Sequence, residues 1–232
     1  MTEALNKVAG IRHLPIFPLP LVMLPNELLP LHIFEDRYRQ MLTDVELKGG
    51  LFGVVLFEPQ ESFMEMPPIG TIGCVAEIKE SETLPDGRSN IITLGLIRFR
   101  ITGYIDAGEP YLVADVEFFE DEPENGVDLD PLCDTVFVLF ERLAKAAFKM
   151  SGGRGSMPEV QRADPESLSF LITAAFNFEN EKKYGLLEMT STHERLRELN
   201  EVLIKAVTQI EDSADIQAVA RTNGHSKKKI DL

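Results

Sequence analysis

The hydrophobic pattern changes three times along the chain, and each version predicts a different element. Residues 14–41 (LPIFPLPLVMLPNELLPLHIFEDRYRQM) place Pro15, Pro18, Pro20, Pro25 and Pro30 among large apolar side chains before a helical period begins. Proline lacks a backbone N–H and fixes φ, so this density predicts short edge strands and rigid loops, not a central strand or a helix interior. A helix is predicted to open at Ile33-Phe34-Glu35-Asp36, with Phe34, Tyr38, Met41, Leu42 and Val45 on one face and Gly49-Gly50 ending it. Its first carboxylates suit the positive end of the helix dipole. The runs at 51–57, 69–78, 90–101 and 111–119 read as strands. Gly70 and Gly73 mark a bulge or a close backbone approach in the second of these. Leu84-Pro85-Asp86-Gly87 supplies a tight turn before the third, whose one face becomes charged at Arg98 and Arg100.

Beyond residue 130 the period is helical. Asp130-Pro131 and Asp164-Pro165 each read as an N-cap followed by a first helical residue. Two apolar stripes follow, one through Leu132, Val136, Leu139, Phe140, Leu143 and Ala147, the other through Leu168, Leu171, Ile172, Ala175 and Phe176. After a short helix near 181–189, Ser191-Thr192-His193-Glu194 forms a capping box. The helix it opens carries Leu196, Leu199, Leu203, Ala206 and Ile210 at heptad-like spacing, short enough to predict a helical bundle, not a long coiled coil. Stretches 63–68 and 151–158 read as loops. The predicted organisation is a flexible arm (1–12), a strand-rich domain (13–121), an acidic connector (122–130), a helical bundle (131–212) and a disordered tail (213–232). The fold class is α+β.

Composition narrows the function. The 232 residues are 44% hydrophobic and 26% charged, a globular balance for one large or two small domains. No apolar run approaches the roughly 20 residues needed to span a bilayer. The start resembles neither a signal nor a transit peptide, and Cys74 and Cys133 read as buried thiols, so a cytoplasmic protein is expected. The net charge is −15, and between Ile101 and Glu141 twelve acids occur with no Lys or Arg. Such a stretch reads as a solvated connector and argues against a phosphate backbone as the main partner.

Catalytic chemistry finds no purchase. His13, His32, His193 and His225 lack metal-ligand spacing with another His or Cys. The GGRGS stretch lacks the strand–turn–helix setting of a nucleophile elbow or phosphate loop, and no Gly-Lys pair occurs. No nucleophile–base–orienter set is visible, so no catalytic, cofactor or metal residues are expected. The proline-rich segment has two readings. Residue by residue its apolar side chains cap a core; as a segment, Phe17, Leu19, Leu21, Met23, Leu24 and Leu28 form an exposed ledge for client polypeptides. Met23, Met64 and Met66 are flexible thioethers suited to either role. Arg37, Arg98 and Arg100 are the candidate polar anchors: Arg37 can pair with acids on its own helix or anchor the turn into it, and for Arg98 and Arg100 pairing to the acidic connector is favoured over an RNA-facing patch.

The runs FPLPLVMLPNELLPLHIFEDRYRQM, FGVVLFE, GTIGCVAEI, LPDGRSNIITLGLIRFRI and PYLVADVEFFEDEP resemble, in order and spacing, the N-terminal substrate-binding domain of Lon proteases. DPESLSFLITAAFNF and LLEMTSTHERL are similar to the helices that follow it there, so the resemblance covers residues 14–210. It implies a PUA-like β pseudo-barrel with helices, and capture of unfolded or damaged proteins. Lon's ATPase phosphate loop and its serine–lysine peptidase dyad have no counterpart in this sequence, so ATP-dependent proteolysis is not carried over. The expectation is a free-standing, non-enzymatic module that binds exposed apolar segments in protein quality control. Two alternatives are an adaptor of a separate ATP-dependent protease and an RNA-binding protein.

Overall fold

The computed structural model describes residues 2–57, 66–150 and 162–223. The expected loop at 151–158, part of the loop at 63–68 (Met64 included) and the end of the tail at 224–232, with His225, lie outside the described residues. Among the described residues, six strands and six helices follow in the order α1 (Glu3–Lys7), β1 (His13–Leu19), β2 (Leu28–Ile33), α2 (Asp36–Glu46), β3 (Leu51–Leu56), β4 (Ile72–Thr83), β5 (Ser89–Ile105), β6 (Leu112–Phe119), α3 (Asp130–Met150), α4 (Pro165–Ala175), α5 (Asn180–Glu188) and α6 (Thr192–Asn223). The mixed α+β class is as expected.

One sheet runs β2-β5-β4-β3-β1-β6, and an added β5–β6 pairing closes five of its strands into the expected pseudo-barrel. Closure depends on β5, whose 17 residues pair with β2 over Ser89–Leu94, with β4 over Ser89–Arg100 and with β6 over Arg98–Ile105. Register shifts at Cys74/Ala76, Ile78/Glu80 and Ile101/Gly103 supply bends in a strand that length. Two glycines are required where backbones approach. A Cβ on Gly73 would lie 2.4 Å from the Val54 carbonyl oxygen, and one on Gly95 would lie 2.0 Å from that of Leu24.

Three local expectations change. First, β1 carries Pro15 and Pro18 yet lies between β3 and β6. It avoids the proline problem by stagger: β6 accompanies His13–Ile16 and β3 accompanies Ile16–Leu19, so only Ile16 is paired on both sides. Pro30 lies in β2, which pairs with β5 alone. Second, α2 begins at Asp36, with Glu35 as its N-cap. Ile33 ends β2, and Phe34 sits in the junction, 60% exposed, while Tyr38, Met41, Leu42 and Val45 form the buried face. Third, the first dozen residues are anchored. Leu5 N–H donates to the Thr2 hydroxyl at the start of α1, Lys7 pairs with Glu77 at 3.0 Å, and Val8 is buried beside Leu14, Ile16 and Phe99.

The chain divides into two compact units: Met1–Asn125 with Glu166–Thr192, and Gly126–Pro165 with His193–Leu232. The helices expected as one bundle at 131–212 are therefore shared out. In the first unit, Phe170 of α4 and Leu187 of α5 are buried with Val22, Leu24 and Ile72. The Ile72 N–H donates to the Tyr184 hydroxyl at 3.0 Å, and the Asn180 amide donates to the Pro20 carbonyl at 2.9 Å. The start of the acidic connector is tied into the same unit, Glu122 N–H donating to the Thr190 carbonyl and the Ser191 hydroxyl to Glu124, each at 2.8 Å. In the second unit, Leu196, Leu199, Leu203 and Val207 of α6 and Cys133 and Val136 of α3 are buried, and Arg162 bridges Asp130 and Asp134. Helix α6 runs to Asn223, ten residues past the point where a tail was expected.

Candidate binding groove

A groove of about 540 Å³ opens in the first unit. Its floor is aromatic: the Phe17 ring lies 4.2 Å from that of Tyr38 and 6.1 Å from that of Phe52. One wall comes from the end of β1 and Pro20, where Leu19 is half-buried. The opposite wall comes from the end of β2 and the junction into α2, where the His32 and Phe34 rings stack with centroids 6.1 Å apart. His32 is held by Asn90, Nδ1 to Oδ1, at 2.7 Å. Met66, 49% exposed, and the turn into β6 at Glu109–Leu112 complete the rim.

The polar groups here are few and mostly neutralised. Arg37 donates to Glu35 through Nε at 2.9 Å and lies over the Tyr38 ring at 4.5 Å. The Tyr111 hydroxyl donates to Asp44 at 2.8 Å; burial and the nearby Asp44 and Glu109 carboxylates push its pKa up, so it remains a neutral donor. A second hollow of about 320 Å³ adjoins the first, sharing Met66, Glu109 and Tyr111 and adding Tyr104 and Asp106. Tyr104 donates to the Pro67 carbonyl at 2.7 Å, and burial pushes its pKa up to about 12.

The expected ledge is only partly a surface. Phe17 (7% exposed), Met23 and Leu24 are buried, because the chain between β1 and β2 folds back over the barrel instead of standing proud of it. Leu21 is half-buried against the core cluster around Phe17 and Tyr38. Leu28 is 64% exposed but does not line the groove. Leu19 lines it, with Phe17 only as floor. Phe34, Met66 and Tyr111 take the places the ledge was expected to fill. No pattern marked Phe34, because its i, i+4 relation to Tyr38 mimics a helix face across a strand-to-helix junction.

The three candidate arginines separate as well. Arg37 lines the groove. Arg98 is 1% exposed and serves as an internal strut, not a surface anchor. Its guanidinium donates to Asp121 at 2.5 Å, to the Met189 carbonyl at 2.6 Å and to the Leu187 carbonyl at 3.1 Å, over the rings of Phe119 and Phe170. Arg98 therefore pairs with Asp121, the residue just before the expected connector, and its burial removes it from any RNA-facing patch. Arg100 is exposed, 3.3 Å from the Gly70 carbonyl.

Among the described residues, no group of three or more His, Cys, Asp or Glu is placed to hold a metal ion. Cys74 is buried without exposure, which pushes its thiol up to about 12 and leaves it unreactive. No helix among the described residues is long and apolar enough to cross a membrane.

The family model described as the ATP-dependent protease La (LON) substrate-binding domain matches residues 13–205. The chain belongs to the Lon substrate-binding domain family. It is 29% identical over 215 residues to a Lon protease of Flavobacterium johnsoniae, and 26% identical over 214 residues to one of Syntrophus aciditrophicus. These matches take in 90% and 88% of this chain but only 26% of either relative, so the chain spans about a quarter of the length of the curated relatives it matches. Among solved structures it is similar to a Lon N-terminal domain protein from Xanthomonas campestris, with TM-score 0.55 and 23% identity over 82% of this chain and 97% of that one. It is also similar to the N-terminal domain of a Mycobacterium avium complex Lon protease, with TM-score 0.57 and 19% identity over 85% and 98% of the two chains. The Lon N-terminal fold follows from these likenesses. The family assignment supports a role in substrate recognition.

Proposed function

We propose that this Lon substrate-binding domain captures extended apolar segments of unfolded or specific client polypeptides in the Phe34–Met66 groove, without nucleotide, as a step in protein quality control. The observation that carries this reading is the exposure of two large apolar side chains, Phe34 at 60% and Met66 at 49%, above an ordered aromatic floor. Exposed apolar surface lining a concavity is characteristic of interaction sites. Methionine adapts its shape to different partners, which suits a site facing varied sequences. Past Ile16, β1 pairs on one side only, so a strand edge runs along the groove wall where an extended segment can align.

Burying a phenyl ring and a thioether contributes on the order of 1.5–3 kcal/mol each. A Phe34→Ser/Met66→Ser double variant is therefore expected to weaken binding of a labelled, permanently unfolded protein by tenfold or more, read by fluorescence anisotropy without nucleotide. Its urea midpoint is expected to stay near that of the parent, since both side chains are already solvent-exposed. Unchanged affinity in the folded double variant would falsify the assignment of the groove.

A further inference from the structure

We propose that the groove selects apolar segments that also carry Lys or Arg, the cationic side chain entering the second hollow between Asp106 and Glu109 while the apolar side chains occupy the first. This inference rests on the reading of the groove as a polypeptide site and adds the charge of the preferred client. Four observations support it.

The two hollows are neighbours that share Met66, Glu109, Tyr111 and Leu112 as lining, so one extended segment can reach both. Among the described residues, the charged side chains lining them are Glu35, Glu109, Asp106 and one basic group, Arg37. Arg37 is matched by Glu35 at 2.8–2.9 Å, which leaves the carboxylates of Asp106 and Glu109 as the net charge of the site. Both acids are exposed, and among the described residues neither pairs with a Lys or Arg. Asp106 is held in place by the Gly108 N–H, which donates to it at 3.2 Å.

The second hollow also offers ring faces. Tyr104 and Tyr111 line it beside the two acids, and an ammonium or guanidinium on an aliphatic stem can lie on such a ring with its head toward a carboxylate. An acidic segment meets the reverse: two unmatched like charges, and no basic residue anywhere between Ile101 and Glu141 to relieve them. The contrast between cationic and anionic clients is therefore built into the rim, while the apolar hollow alone is indifferent to it.

The test uses three labelled peptides with a common core, Gly-Leu-Phe-Leu-Gly, flanked on both sides by Lys, Ser or Glu pairs. Anisotropy titrations of the full chain at low salt are expected to rank them Lys, Ser, Glu, with about tenfold between the extremes, shrinking as salt is raised. In Asp106→Asn/Glu109→Gln the Lys–Glu gap is expected to collapse while the urea midpoint stays near that of the parent. Glu80→Gln/Glu82→Gln, which changes net charge equally at an exposed stretch of β4 outside both hollows, is expected to keep the gap. Equal binding of all three peptides overturns the charge preference and leaves the groove assignment standing. A gap closed equally by both double variants overturns it in favour of the whole-molecule field. If no peptide binds and the unfolded protein does not bind either, the groove assignment itself fails.

Discussion

A guanidinium can be buried only where its donor directions end on acceptors and its faces meet soft, polarisable groups. Arg98 meets both conditions, with Asp121 and the Leu187 and Met189 carbonyls around it and Phe119 and Phe170 on its faces. Alternation along β5 put Arg98 and Arg100 on one face, yet one is core and the other surface. The difference lies in segments about ninety residues away, which no local pattern reports. Replacing Arg98 with Met breaks a buried ion pair and removes the donor to the Leu187 and Met189 carbonyls, and a loss of about 3–5 kcal/mol is expected. Urea unfolding checks this: a clear fall in midpoint at unchanged slope is the expected result, and a midpoint within error of the parent would refute the strut. The same limit explains the ledge. Phe17, Met23 and Leu24 are apolar enough for either role, and only the path of the following chain decides that they are inside while Phe34 and Met66 stay outside.

At the scale of elements, the strands and the long helices were legible because side-chain period reports backbone geometry directly. The prolines were legible in part. They kept helix out of the segment, but their exclusion of a central strand fails, because stagger lets β1 sit between two neighbours with only Ile16 paired to both. In β2, Pro30 occupies the middle of the sheet's open edge, flanked by the exposed Leu28 and Phe34. A proline there denies an incoming strand a donor. Pro30→Thr is expected to give concentration-dependent self-association by light scattering, where the parent shows none of that dependence under the same conditions. Unaltered behaviour would mean that the edge is protected by something other than the ring. Helix α1 escaped the periodic reading because five residues are too few to display a 3.6-residue period.

At the scale of the molecule, a boundary placed by composition at the acidic connector coincides with one cut between the units, after Asn125, but composition does not show that the chain rejoins the first unit at Glu166–Thr192. Helices α4 and α5 come after α3 in sequence yet belong to the barrel unit, where Phe170 and Leu187 pack on Val22, Leu24 and Ile72. A chain cut after Asn125 keeps every strand but loses that cover and two of the Arg98 acceptors. It is expected to lose the sharp urea transition and to bind a hydrophobic dye. A cooperative transition matching the parent would show α4 and α5 to be dispensable. The sequence by itself determined what is local or carried by ordered motifs: the strand and helix content, the turn chemistry, the α+β class and the Lon substrate-binding family. Tertiary structure alone decided which apolar side chains face solvent, where Arg98 finds its acceptors, and which helices belong to the barrel. Those outcomes depend on contacts between residues distant in sequence, and a side chain's own pattern is the same whether or not a later segment arrives to cover it.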